Sequence, residues 1–121
     1  MDEACMNAII GTLLIVDSFV EADDLQDAFE RHRLGPVVHM RTVETARAML
    51  EETARRPQIL VIGAAAGSAM SDALIEEQQA RGAKILVLSD GQSDGAAPGV
   101  IHLARPYAES DLTRAIGQLL G

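Results

Sequence analysis

Four apolar runs restrict the fold of this 121-residue chain more than any other feature. They are residues 12–17 (TLLIVD), 58–63 (QILVIG), 84–89 (KILVLS) and 100–104 (VIHLA). A strand with one wet face alternates apolar and polar side chains. A near-continuous aliphatic run, as in the first three, belongs to a strand covered on both faces, the usual state of a parallel sheet. Residues 36–41 (PVVHMR) read as a fifth, weaker strand.

The intervals carry helical spacing. Leu25, Ala28, Phe29 and His32 share one face of a helix over about 21–33, and Val43, Ala46, Leu50 and Ala54 share one over 42–55. A third helix is expected over about 71–81. Leu112, Ala115, Ile116, Leu119 and Leu120 stripe a last one. Gly35-Pro36, Pro57 and Gly82 punctuate the approaches to the following strands, and Thr42 can cap the second helix. This β-α alternation predicts an α/β fold: a doubly wound five-stranded parallel sheet in the order 2-1-3-4-5, with helices on both faces. The chain suits one domain spanning 1–121, with residues 1–10 able to fray.

The interval 90–99, Asp-Gly-Gln-Ser-Asp-Gly-Ala-Ala-Pro-Gly, holds three glycines and a proline. These disfavour a regular helix, so a loop or one helical turn is expected between the fourth and fifth strands.

Composition narrows the function classes. The core must be aliphatic, because the aromatic residues are Phe19, Phe29 and Tyr107. A net charge of −8 with scattered basic residues argues against a nucleic-acid surface, which needs clustered Lys and Arg. Cys5 is the only cysteine, which excludes an intramolecular disulfide or a multi-thiolate metal site. The acidic N-terminus is unlike a secretory leader, and no apolar run reaches membrane-spanning length. A soluble cytoplasmic protein with no membrane contact is expected, and the arginine bias suits a bacterial source.

In an open parallel sheet the functional crevice lies beyond the carboxyl ends of the strands. Those ends present Asp17, Ser18, Gly63, Ser89 and Arg105. The order of elements and these positions resemble the receiver domain of two-component response regulators. Leu14-Ile15-Val16-Asp17 looks like that family's first strand, which ends in an acidic pair. Pro57 to Gly63 matches its Pro-Asp-(apolar)₄-Asp segment, Ser89 its strand-four Ser/Thr, and Arg105-Pro106-Tyr107 its Lys-Pro-Phe/Tyr motif.

The departures carry the functional content. The resemblance implies a phosphoacceptor aspartate where Gly63 stands, a metal-binding acid where Ser18 stands and a lysine where Arg105 stands. It also implies a switch aromatic at His102, a cis bond at Arg105-Pro106 and a fourth helix that the interval 90–99 is too short to hold. Glycine cannot be phosphorylated. Mg²⁺ usually draws its charge from one or two protein carboxylates, and Asp17 is the acid that remains.

Each position has a plain reading beside the functional one. Arg105 could bridge to Asp17 in place of the metal, or both could point to solvent. Ser89 suits a strand-end hydrogen bond, and His102 a partly buried strand histidine or a pH-sensitive rotamer. The small-residue turn after Gly63 could cradle an anion or be a remodelled loop. Glu21, Asp23, Asp24 and Asp27 suit the dipole of the first helix, or a cation cluster with Asp17.

No catalytic triad, catalytic carboxylate pair or zinc motif is visible, and neither an enzyme nor a cofactor is expected. The expectation is a phosphorylation-independent pseudo-receiver. It would act as a signalling adaptor toward a histidine kinase, another receiver or an output protein, with a homodimer as a further arrangement. Residues 90–99 are the expected contact surface. The alternative is a sensor of a nucleotide or anion bound in the vacated crevice.

Overall fold

The computed structural model describes residues 9–53, 56–63, 69–89 and 100–120. Their strands are β1 (Ile9–Ile15), β2 (Val37–Met40), β3 (Arg56–Ile62), β4 (Lys84–Ser89) and β5 (Val100–Ala104). The helices are α1 (Phe19–Arg31), α2 (Val43–Thr53), α3 (Ala69–Ala80) and α4 (Glu109–Leu120). All strand pairs are parallel, in the order β2-β1-β3-β4-β5. This is the expected doubly wound topology. The expected loop at 90–99, and with it the loss of a fourth crossover helix and the proposed contact surface, lies outside the described residues.

The aliphatic runs are buried on both faces, and neighbouring residues feed opposite cores. Leu14, Val16, Ile59, Val61, Leu86 and Leu88 pack under α1 and α4, around Phe29, Leu25 and Ile116. Leu13, Ile15, Leu60, Ile62 and Ile85 pack under α2 and α3, with Val43, Ala46, Leu50 and Leu74. Each fully buried side chain of this size contributes about 1.5–3 kcal/mol, so the central strands supply most of the driving force.

Helix ends follow local chemistry. Ser18 caps α1 by accepting a hydrogen bond from the Glu21 amide at 3.3 Å, which starts the helix two residues earlier than its apolar spacing indicated. Thr42 accepts from the Thr45 amide at 3.2 Å, the cap expected of it. Two helices close with the same double hydrogen bond. In α3, Ala83 donates to Gln78 and Gly82 to Gln79, with Gly82 at φ 93°. In α1, Leu34 donates to Phe29 and Arg33 to Glu30, with Arg33 at φ 61°.

Two expected core positions are corrected. His32 is the exposed C-cap of α1, because the helix ends at Arg31 and the chain turns left-handed at Arg33. Leu120, the last residue of α4, is exposed, beyond the reach of the sheet.

Candidate functional site

Hydrogen bonding continues past the ends of three strands and places the crevice residues. The Val16 amide donates to Met40 at 3.2 Å, the Gly63 amide to Ile15 at 2.7 Å and the Arg105 amide to Ser89 at 2.7 Å. Gly63 and Arg105 are therefore held at the rim of the sheet, and α1 begins beside them.

Arg105 turns its guanidinium toward α1. Its Nε donates to Glu21 Oε2 at 2.9 Å and its Nη2 to Glu21 Oε1 at 2.7 Å, a bidentate pair. Tyr107 donates its hydroxyl to Glu21 Oε2 at 2.8 Å. The two charged side chains are only 25% and 18% exposed, so this pair is largely withdrawn from water. Burial, followed by the hydrogen bond to Glu21 and that carboxylate's charge, pushes the Tyr107 phenol well above its ordinary range, against a smaller opposing effect of Arg105.

Gly63 makes room for this arrangement. A Cβ built there would lie 2.6 Å from Arg105 Nη2, 2.9 Å from Val16 Cγ1 and 3.3 Å from Leu88 Cδ1. The Arg105 Nη2 also approaches the Gly63 carbonyl at 3.5 Å. The space that a side chain at position 63 would need is occupied by the guanidinium.

Asp17 goes elsewhere, and the expected Asp17–Arg105 pair is corrected. β1 ends at Ile15, so Asp17 stands clear of the sheet with its side chain 82% exposed, and Arg41 from the end of β2 reaches it at 3.2 Å. The Arg41 guanidinium also lies 5.1 Å from the centre of the Phe19 ring, and Phe19 meets His39 edge-on at 5.6 Å. His39 Nε2 in turn bonds the Val16 carbonyl at 2.8 Å. The two ion pairs thus split the rim: Asp17–Arg41 on the solvent side and Glu21–Arg105 inside.

The other expected positions fall as follows. Ser18 is a helix cap. Ser89 closes β4 opposite Ala104 and is half-buried. His102 sits in β5, half-buried, in register with Val87. The Arg105–Pro106 bond is cis, as the resemblance implied, and Pro106 is exposed. The turn after Gly63, residues 64–68, lies outside the described residues.

Glu21 is the residue that sequence reasoning missed. With its acidic neighbours it suits the helix dipole or a cation cluster with Asp17, and neither reading pairs it with Arg105. The signal available was the spacing Ser18-Phe19-Val20-Glu21, a capping-box pattern that puts a carboxylate at the mouth of the crevice.

No protein-family model matches the sequence, and a search of curated proteins gives no match. Solved structures do match. The BeF3-activated conformation of SdrG from Pseudomonas melonis Fr1 has a TM-score of 0.66 at 22% identity, covering 94% of this chain and 99% of that one. A response regulator receiver domain protein from Bacillus halodurans C-125 has a TM-score of 0.67 at 19% identity, covering 89% and 94%. SdrG from Sphingomonas melonis Fr1 has a TM-score of 0.61 at 20% identity, covering 94% and 98%. At these identities the likeness carries the fold: the chain has the receiver architecture over nearly its whole length.

The Mg²⁺ that the receiver resemblance implies does not suit the donors present. The Ser18 hydroxyl serves the Glu21 amide, Asp17 is paired with Arg41, and a guanidinium stands beside Gly63. Among the described residues no group of three or more His, Cys, Asp or Glu side chains could hold a metal ion. Among them, too, no helix is long and apolar enough to cross a membrane.

Proposed function

We propose that this chain is a phosphorylation-independent receiver-like module that signals by binding another protein. The observation that carries the reading is the occupied acceptor position. The tip of β3 bears no side chain, and the Arg105 guanidinium fills that space while bound to Glu21. In a receiver cycle, a strand-end carboxylate gains and loses a phosphoryl group and a basic side chain follows that charge. Here a carboxylate supplied permanently by α1 takes the place of the variable charge, so the crevice is built in a single state. Such a module has no chemistry of its own and acts as an adaptor in a two-component-type pathway. Its partner would be a histidine kinase, another receiver or an output protein.

The alternative, a nucleotide or anion in a vacated crevice, draws no support from this geometry. The cation that would attract the anion is neutralised by Glu21, and the space beside Gly63 is taken.

The test is chemical. Acetyl phosphate with Mg²⁺ should leave the intact mass unchanged, whereas one added phosphoryl group mapped to a strand-end residue overturns the reading. Affinity capture with the chain as bait should return a two-component protein whose retention is insensitive to phosphodonor.

A further inference from the structure

The aromatic side chains are committed unequally. Phe29 is fully buried and Tyr107 is half-buried on Glu21, but Phe19 is 64% exposed and its neighbour Val20 75% exposed. Neither residue serves the helix. Aromatic and β-branched side chains are weaker helix formers, and this first turn already has its cap in Ser18. Phe19 is exposed yet braced. The Arg41 guanidinium lies 5.1 Å from its ring centre, His39 meets it edge-on at 5.6 Å, and His39 is itself bonded to the Val16 carbonyl at 2.8 Å. An aromatic ring held in place on the solvent side suits a binding anchor, because little side-chain freedom is left to lose on contact.

The rest of the outer face of α1 is acidic. Helical spacing puts Asp23, Asp24, Asp27 and Glu30 on the side of Phe19 and Val20, away from the buried Ala22, Leu25, Ala28 and Phe29, and all four acids are exposed. Arg31 is the only base within α1, and Asp27 at 3.3 Å and Glu109 at 3.1 Å share it. The helix dipole favours carboxylates in the first turn alone, so it does not account for Asp27 or for Glu30 near the other end.

We infer that the outer face of α1 docks a basic amphipathic helix of the partner protein, with Phe19 and Val20 as the apolar anchors and the acidic ridge as the guide. This rests on the adaptor reading and names its contact face. Rows of side chains at helical spacing are met by a partner of the same spacing, whereas a strand would need backbone groups that a helix face does not offer. Charge selects the partner. A second copy docked face to face would set carboxylates against carboxylates, and nucleic acid or an anionic membrane would be repelled.

Titration of the full chain with three synthetic peptides tests this: a Leu/Lys amphipathic helix, a Leu/Glu helix of the same pattern, and a scrambled Leu/Lys sequence. Fluorescence anisotropy of labelled peptide gives the affinity, and amide chemical shifts give the face. The Leu/Lys helix should bind with shifts centred on α1, more weakly as NaCl is raised, and the other two should not. Phe19→Ser should weaken binding about five-fold or more, as loss of an anchor does, without lowering the Tm. Asp23→Asn combined with Asp24→Asn should weaken it and flatten its salt dependence. The inference is overturned by no binding of the Leu/Lys helix at millimolar concentration, by equal binding of the scrambled or acidic peptide, by affinity unchanged in Phe19→Ser, or by a dimer of the chain that Phe19→Ser dissolves. Any of these beside an unchanged mass after acetyl phosphate leaves an adaptor that uses another face, whereas phosphorylation removes the adaptor reading whatever the peptides do.

Discussion

Gly63 and Arg105 are fitted to each other: a Cβ on the glycine would stand 2.6 Å from the Nη2 of the arginine. That nitrogen cannot simply swing aside, because it is bound to Glu21 at 2.7 Å. The second obstacle, Val16 Cγ1 at 2.9 Å, belongs to a fully buried side chain. Gly63→Ala should therefore cost about 1–3 kcal/mol, the usual penalty of overpacking. In an Arg105→Ala background the added cost should fall, with a coupling of about 0.5–1 kcal/mol, since contacting residues are not additive. Urea unfolding of the four proteins in this cycle measures it. Strict additivity would mean that the guanidinium does not occupy that space.

The two ion pairs at the rim should differ in weight. Glu21–Arg105 is largely buried and bidentate, and it also receives the Tyr107 hydroxyl. Removing its charge by Glu21→Gln should cost about 1–3 kcal/mol, below the penalty for a fully buried pair because some solvent reaches it. Asp17–Arg41 is more than half exposed on both sides, and Asp17→Asn should stay within about 0.5 kcal/mol. Chemical denaturation of both variants decides the ranking. Equal effects would remove the structural role assigned to Glu21.

Magnesium should have no grip on this crevice. One exposed carboxylate already paired with Arg41 is a poor site for an ion that favours several hard oxygen ligands. Millimolar MgCl₂ should leave the Tm of the unmutated protein unchanged beyond the ionic-strength effect of a matched NaCl control. A saturable rise that Asp17→Asn abolishes would restore a metal-binding role.

Much of the fold was legible because strand identity rests on local, redundant information. Leu60-Val61-Ile62 is buried whichever neighbours it finds, and a run apolar on both faces has few homes outside a parallel sheet. The rim was not legible in the same way. Glu21 and Arg105 are 84 residues apart, and their meeting depends on where α1 begins relative to the tip of β5. That start is set by the Ser18 cap, which moves the helix two residues earlier and brings Glu21 onto its first turn. Asp17 failed as the partner for the matching reason: it lies past the last residue of β1 and outside the sheet. The vacancy at Gly63 was visible in the sequence, whereas the group that fills it was not.

The ends of α1 and α3 allow a stability test independent of the crevice. The same closing motif holds Gly82 at φ 93° and Arg33 at φ 61°. Glycine adopts this region without penalty, whereas a residue bearing a Cβ pays roughly 1 kcal/mol there. Arg33→Gly should therefore stabilise the protein by up to about 1 kcal/mol, and Gly82→Ala should destabilise it by a similar amount. Space is not the issue at Gly82, since a Cβ there would meet nothing within 4 Å. A fall in Tm for Arg33→Gly would show that the Arg33 side chain contributes more than its backbone costs.

Tyr107 offers a direct optical readout of the Glu21 contact, because it is the only tyrosine and the chain has no tryptophan. Burial, the hydrogen bond to Glu21 and that carboxylate's charge hold its pKa above the ordinary value of 10.0. Between the unfolded and folded values the folded state keeps a proton that the unfolded state has lost. The resulting stability is fully present below about pH 10 and is lost as pH rises through the folded value. Tyrosinate absorbance should stay flat through pH 10 in the native protein, while the same chain in strong urea titrates at about 10. Glu21→Gln should bring the native titration down toward that unfolded value, since two of the four upward influences come from the Glu21 carboxylate. A native phenol that titrates at its ordinary pH would mean that the hydroxyl is not committed to Glu21, and that the crevice is looser than the Arg105–Glu21–Tyr107 contacts require.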